Sequence, residues 1–115
     1  MTLGQKQRKF AECAAHLILK AYEMGYEVTL GDAYRDPRAF GAMGQRIGYG
    51  RSRSNHKVRL AIDLNLFKDG QYLTSTEDHR PLGMWWETEY GHLGASWGGH
   101  FNDGNHYSFE HEGRR

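Results

Sequence analysis

Val58-Arg59-Leu60-Ala61-Ile62-Asp63-Leu64-Asn65-Leu66 is the stretch that decides the fold. Aliphatic side chains stand at every second position, with Arg59, Ala61, Asp63 and Asn65 between them. A period of two is that of a β-strand with one apolar face, so the leucines are expected in the core and Asp63 on the opposite, polar face. Lys68-Asp69-Gly70 follows and turns the chain back into Gln71-Tyr72-Leu73, a hairpin signal because Gly accepts the positive φ such turns need. Upstream, Tyr26, Val28 and Leu30 alternate with Glu27 and Thr29 until Gly31-Asp32 breaks the pattern, and near the C-terminus Tyr107 and Phe109 alternate with His106, Ser108 and Glu110. Both read as further strands with one buried face.

Helices flank these strands. Between Gln5 and Met24, Phe10, Ala14, Leu17, Ala21 and Met24 recur at spacings of four and three, one stripe of an amphipathic helix ended by Gly25, with Leu3 and Cys13 as additional core. Pro81 to Tyr90 predicts a second helix, with Leu82, Trp85, Trp86 and Tyr90 facing inward and Gly91 after its end. From Asp36 to Arg53, glycines at 41, 44, 48 and 50 break any period and predict a basic loop after a short helix or turn at Pro37. Trp97-Gly98-Gly99 reads as a tight turn. The order α, β, loop, ββ, α, β describes an α+β domain with a small antiparallel sheet and flanking helices. At 115 residues, the chain is expected to be one domain, residues 1–115.

Composition narrows the function classes. With 38% hydrophobic residues, the chain has enough apolar surface to fold. Its longest apolar run, Leu17-Ile18-Leu19, is far below the ~20 residues of a membrane span. A formal net charge of +1 draws the protein neither to nucleic acid nor to a membrane, so charge targeting must be local. Arg38, Arg46, Arg51, Arg53, Lys57 and Arg59 supply it, since no acidic residue lies between Asp36 and Asp63. The basic N-terminus is followed by no apolar segment of a secretory signal. Cys13 is the single cysteine, which excludes an internal disulfide and a thiolate zinc site.

Any metal must then be held by histidines and carboxylates, and the chain has seven histidines. His56 lies just before the central strand, Asp63 on its polar face, and His106 on the face of the last strand turned away from Tyr107 and Phe109. Two His and one carboxylate are the ligand types of a catalytic zinc site, which keeps a fourth position open. Asp103, three residues before His106, is near enough to serve as general base. Each of these residues alone has an ordinary reading: a solvent-facing His, a carboxylate paired to an Arg, an Asp-Gly-Asn turn.

Ser54-Asn55-His56-Lys57-Val58-Arg59-Leu60-Ala61-Ile62-Asp63 resembles the Ser-x-His-x-x-Gly-x-Ala-x-Asp motif of the D-alanyl-D-alanine carboxypeptidase (VanY-type) zinc peptidases, which include phage endolysins that cleave L-alanyl-D-glutamate. Four of its five named positions match. Trp97-Gly98-Gly99 and Asp103-x-x-His106 are similar to that family's closing segment, and Tyr34-Arg35 to its Tyr-Arg. The resemblance implies the fold shared with the hedgehog signalling domain, a Zn2+ cofactor held by His56, Asp63 and His106, a general base at Asp103, and substrate contacts from Arg35 and Ser54. The motif's Gly is Arg59 here. From its place in the alternation, Arg59 is expected on the strand face of Asp63, where it adds a third substrate contact.

The activity expected is hydrolysis of a bond in the stem peptides of bacterial peptidoglycan. L-alanyl-D-glutamate endopeptidase comes first and D,D-carboxypeptidase second. The carboxylate-rich stem gives Arg35, Arg38, Arg51, Arg53 and Arg59 a ligand. The expected role is a phage endolysin made in the host cytoplasm without a signal peptide and released to the wall by another route, a monomer with no nucleic-acid or membrane partner. Two readings from other classes compete. An Arg-rich loop with His, Asn and Asp also suits a nuclease or nucleic-acid-binding module, which leaves the Trp-Gly-Gly and Asp-x-x-His spacing unexplained. A non-catalytic virion protein on the same scaffold is the other.

Overall fold

The computed structural model describes residues 1–31, 55 and 57–115. The expected basic loop and the turn at Pro37, with Arg35, Ser54 and His56, lie outside the described residues. The elements run α1 (Leu3–Glu23), β1 (Glu27–Leu30), β2 (Ala61–Lys68), β3 (Gln71–Tyr72), α2 (Arg80–Tyr90), β4 (Ala95–Trp97) and β5 (His106–Phe109). Short 3-10 turns stand at Thr76–His79, Gly91–Leu93 and Gly98–Phe101. The class is α+β, as expected.

The first helix is delimited by its own backbone chemistry. Thr2 caps it, its hydroxyl accepting from Gln5 N at 3.1 Å while the Gln5 side chain accepts from Thr2 N at 2.8 Å, the reciprocal capping box. At the other end Tyr26 N donates to Ala21 O and Gly25 N to Tyr22 O, the two bonds of a Schellman ending. Phe10, Cys13, Ala14, Leu17 and Ala21 form the buried stripe. Leu3, expected in the core, is 40% exposed in the first turn of the helix.

β2 is the hub of the sheet. The strand order is β1-β2-β5-β4, with β3 also paired to β2, all pairs antiparallel. Leu60, Leu64 and Leu66 are fully buried, so the apolar face of the alternation holds, with Ile62 half-buried. They pack with Leu17, Leu82, Trp86, Trp97, Tyr107 and Phe109 in one cluster. Trp86 stacks on Phe109 with ring centres 5.6 Å apart, and its indole N–H reaches the carbonyls of Ser96 and Ser108, both at 3.2 Å, so a large polar-tipped ring is buried with its donor satisfied.

Three expectations give way. Leu30 is 59% exposed. β1 lies at the end of the strand order, so its alternation buries less than the pattern implies. Trp97, expected in a tight turn with Gly98 and Gly99, instead ends the strand β4 (Ala95–Trp97), whose three residues are too few to show a period. Val58 and Arg59 precede the strand in a turn, Arg59 at φ 59°. The side-chain alternation does not extend through a left-handed residue, so Arg59 is exposed and does not share the strand face of Asp63. Among the described residues, no helix is long and apolar enough to cross a membrane.

Candidate active site

Asp63 and His106 are directly opposed partners in the β2–β5 ladder, flanked by Ile62 opposite Tyr107. Directly opposed residues of an antiparallel pair project on the same face. His106 Nδ1 lies 3.2 Å from Asp63 Oδ1, and each side chain is 14% exposed. Two ligands of one tetrahedral zinc, each ~2.0–2.2 Å from the ion, stand about 3.4 Å apart. The separation is thus that of a hydrogen bond and also of two donors to one ion. On the other flank of Asp63 stands Gly31, whose N donates to Asp63 O at 2.8 Å. A Cβ at residue 31 would come within 3.2 Å of Asp63 Cβ, so glycine leaves room beside the carboxylate.

The donor set fits zinc in kind: one imidazole nitrogen and one carboxylate oxygen, converging and largely removed from solvent. Among the described residues no third His, Cys, Asp or Glu completes a metal-binding group. The expected third donor, His56, lies outside those residues, but its neighbour Asn55 does not. Asn55 is buried, donating from Nδ2 to the carbonyls of Phe109 at 2.9 Å and Arg114 at 2.8 Å. Its own carbonyl accepts from Leu60 N at 2.9 Å, tying the start of β2 to the end of β5. Sequence reasoning missed Asn55, which carries no periodic signal.

Asp103 is exposed, on the connection between β4 and β5. Its N donates to Gly98 O at 3.0 Å, and its carbonyl accepts from His106 N at 3.1 Å, so the backbone of base candidate and ligand candidate is one closed turn. A Cβ on Gly98 would sit 2.3 Å from Asp103 O and 2.8 Å from His106 Cβ. The Trp-Gly-Gly segment therefore packs against the site residues because residue 98 has no side chain. Asp103 also lines a polar cleft of about 190 Å³ with Thr74, Thr76, His79, Asn102 and Asn105. At its base His79 Nδ1 meets Tyr107 Oη at 2.8 Å. Burial lowers the His79 pKa to about 4, so its imidazole is neutral at pH 7, and burial likewise pushes the Tyr107 hydroxyl up.

The family model described as D-alanyl-D-alanine carboxypeptidase matches residues 48–109, more than half of the chain. That span contains the opposed Asp63–His106 pair, Asp103 and the expected His56. The chain belongs to this family. Within the D-alanyl-D-alanine carboxypeptidase family it is a peptidase, and the match runs from the segment before β2 to the last residue of β5, the two strands that build the pair. No curated protein matches the chain significantly. The family membership also gives position 59 a physical meaning. The motif's Gly falls where the backbone is left-handed, so the glycine suits the φ of the turn. The substrate role expected for Arg59 loses the shared face on which it rested.

Proposed function

We propose that the protein is a zinc-dependent peptidoglycan peptidase that hydrolyses a stem-peptide bond, with L-alanyl-D-glutamate as the bond and a phage endolysin as the role. The observation that carries this is the register of β2 and β5, which opposes Asp63 to His106 inside the segment matched by the family. In this reading residues 1–115 are one catalytic domain of the hedgehog type, working as a monomer. His56, Asp63 and His106 hold the ion, and Arg35 and Ser54 contact substrate by their place in the motif.

Bound there, zinc supplies Lewis acidity, polarising a carbonyl and acidifying water. The chain's own contribution is positional and acid-base. Asp103, open to solvent, takes a proton from the attacking water and returns it to the leaving amine. Imidazole and carboxylate donors hold a metal only in their deprotonated forms, so occupancy is expected to fall in acid. The guanidinium of Arg35 offers two parallel N–H donors to a stem carboxylate.

D,D-carboxypeptidase activity is the second reading, favoured by the description of the family itself. Incubation with purified peptidoglycan, followed by mass spectrometry of the new termini, tests both. New N-terminal D-glutamate supports the endopeptidase, free D-alanine the carboxypeptidase, and no new terminus with metal-loaded protein overturns both.

A further inference from the structure

The peptide of Gly104 is held from two sides by side chains outside its own turn, one from the end of β4 and one from the 3-10 turn at Thr76–His79. Trp97 Nε1 donates to Gly104 O at 2.6 Å, and Gly104 N donates to Thr76 Oγ1 at 3.3 Å. The contact with Thr76 is close, since a Cβ on Gly104 would lie 2.7 Å from Thr76 Cα. The indole itself has no freedom. It is fully buried, and a Cβ on either Gly83 of α2 or Gly99 would come within 2.2 Å of its ring. Its N–H is thereby aimed at one carbonyl.

An Asp-Gly-Asn turn needs no such help to close, because these residue types form tight turns by themselves. The two bonds, from partners 7 and 28 positions away, converge on the residue that follows Asp103 and precedes, by two positions, His106. We propose that Trp97 and Thr76 are positioning residues, which through Gly104 set the Asp103 carboxylate against the Asp63–His106 pair. This rests on the reading of Asp103 as general base. Misplacement of a reacting group by about 1 Å costs up to ~10²-fold in rate, so a clamp on the base acts on turnover and leaves substrate binding alone.

The test uses the full-length protein, soluble fragments of purified peptidoglycan and four variants. Thr76→Val keeps shape and removes the acceptor, Thr76→Ser restores it, and Trp97→Phe removes the indole donor. Asp103→Asn is the reference for the base. Expected for Thr76→Val is a kcat about ten-fold lower with KM within about two-fold of wild type, an unchanged melting temperature, and a displaced Gly104 amide signal in a 1H–15N spectrum. Thr76→Ser should regain the wild-type kcat and amide position. Trp97→Phe should lower kcat further, and if it fails to fold the Thr76 pair carries the test. A wild-type kcat in Thr76→Val, or an equal loss in Thr76→Ser, overturns the positioning role. If Asp103→Asn is inactive while Thr76→Val is unimpaired, positioning fails and the base reading stands. Wild-type turnover in Asp103→Asn overturns both.

Discussion

Two connections between antiparallel strands can be set side by side. β2 and β3 are joined by Asp69 and Gly70 alone, with φ 51° and 78°, and Lys68 pairs with Gln71 across them. Two successive positive-φ residues match the twist of the strands, so this turn is made by local chemistry. The connection from β4 to β5 spans residues 98–105 and is closed by more than its own turn chemistry: by Thr76, 28 positions from Gly104, by the Trp97 indole at the end of β4, and by the carbonyl of Gly98 at its own start. The short turn holds none of the candidate site residues. The long one carries Asp103 and delivers His106 to Asp63. A segment whose geometry is imposed from outside can hold side chains in places that local preferences alone would not choose, and that suits it to a site.

The largest expected difference between the two connections is in turnover. Asp103→Asn should lower peptidoglycan cleavage by about 10²- to 10⁴-fold with the fold intact, and Asp69→Asn should leave it unchanged, as read by release of new termini. If both variants cleave at the wild-type rate, the long connection is only a turn. Next come the glycines. Gly98→Ala drives a methyl group into the Asp103 carbonyl and should cost about 3 kcal/mol in denaturant unfolding, together with most of the activity. Gly70→Ala meets no neighbour and only forces φ 78° on an L-residue, for about 1–2 kcal/mol and no loss of turnover per folded molecule.

A third expectation concerns acid. His79, beneath the cleft that Asp103 lines, has a folded pKa of about 4 against about 6.5 unfolded. Between these values the unfolded chain binds the extra proton, so stability falls as pH drops from about 6.5 to 4, by at most ~3 kcal/mol. His79→Gln should flatten that part of the stability profile, and an unchanged slope would place its origin elsewhere. The smallest effect is at the entrance to β2. Arg59→Gly relieves a left-handed L-residue while adding the chain entropy of glycine, and should raise stability by about 0.5–1 kcal/mol with cleavage products unaltered. A change of preferred bond in that variant would return Arg59 to the substrate side.

The sheet was legible where a strand is buried on one face over several residues. Leu60 to Leu66 announce β2 because the alternation and the burial coincide. Asp63 and His106 were found for the same reason, each standing on the face not committed to apolar residues. Three kinds of feature escaped. β4 is too short to have a period. Leu30 follows the apolar pattern on a strand that leaves it exposed, since alternation records a preference and not a neighbour. Asn55 and Thr76 act through bonds to residues 54 and 28 positions away in the chain, and no local pattern encodes a partner at that distance.

The Asp63–His106 contact joins residues 43 positions apart. Closing so long a loop costs more chain entropy than closing the two-residue hairpin, which forms in ~1–10 μs. The order of events in folding follows from that asymmetry. β2 and β3 can zip early, while β5 docks once α1 and α2 have supplied the apolar surface that Tyr107 and Phe109 require. In pulsed hydrogen exchange the Leu73 amide, bonded to Leu66 O, should be protected before that of Phe109, bonded to Leu60 O. If Asp63 and His106 hold a metal, as proposed, the nascent chain acquires both donors only in the closing step, and the ion binds the finished sheet and ignores its precursors.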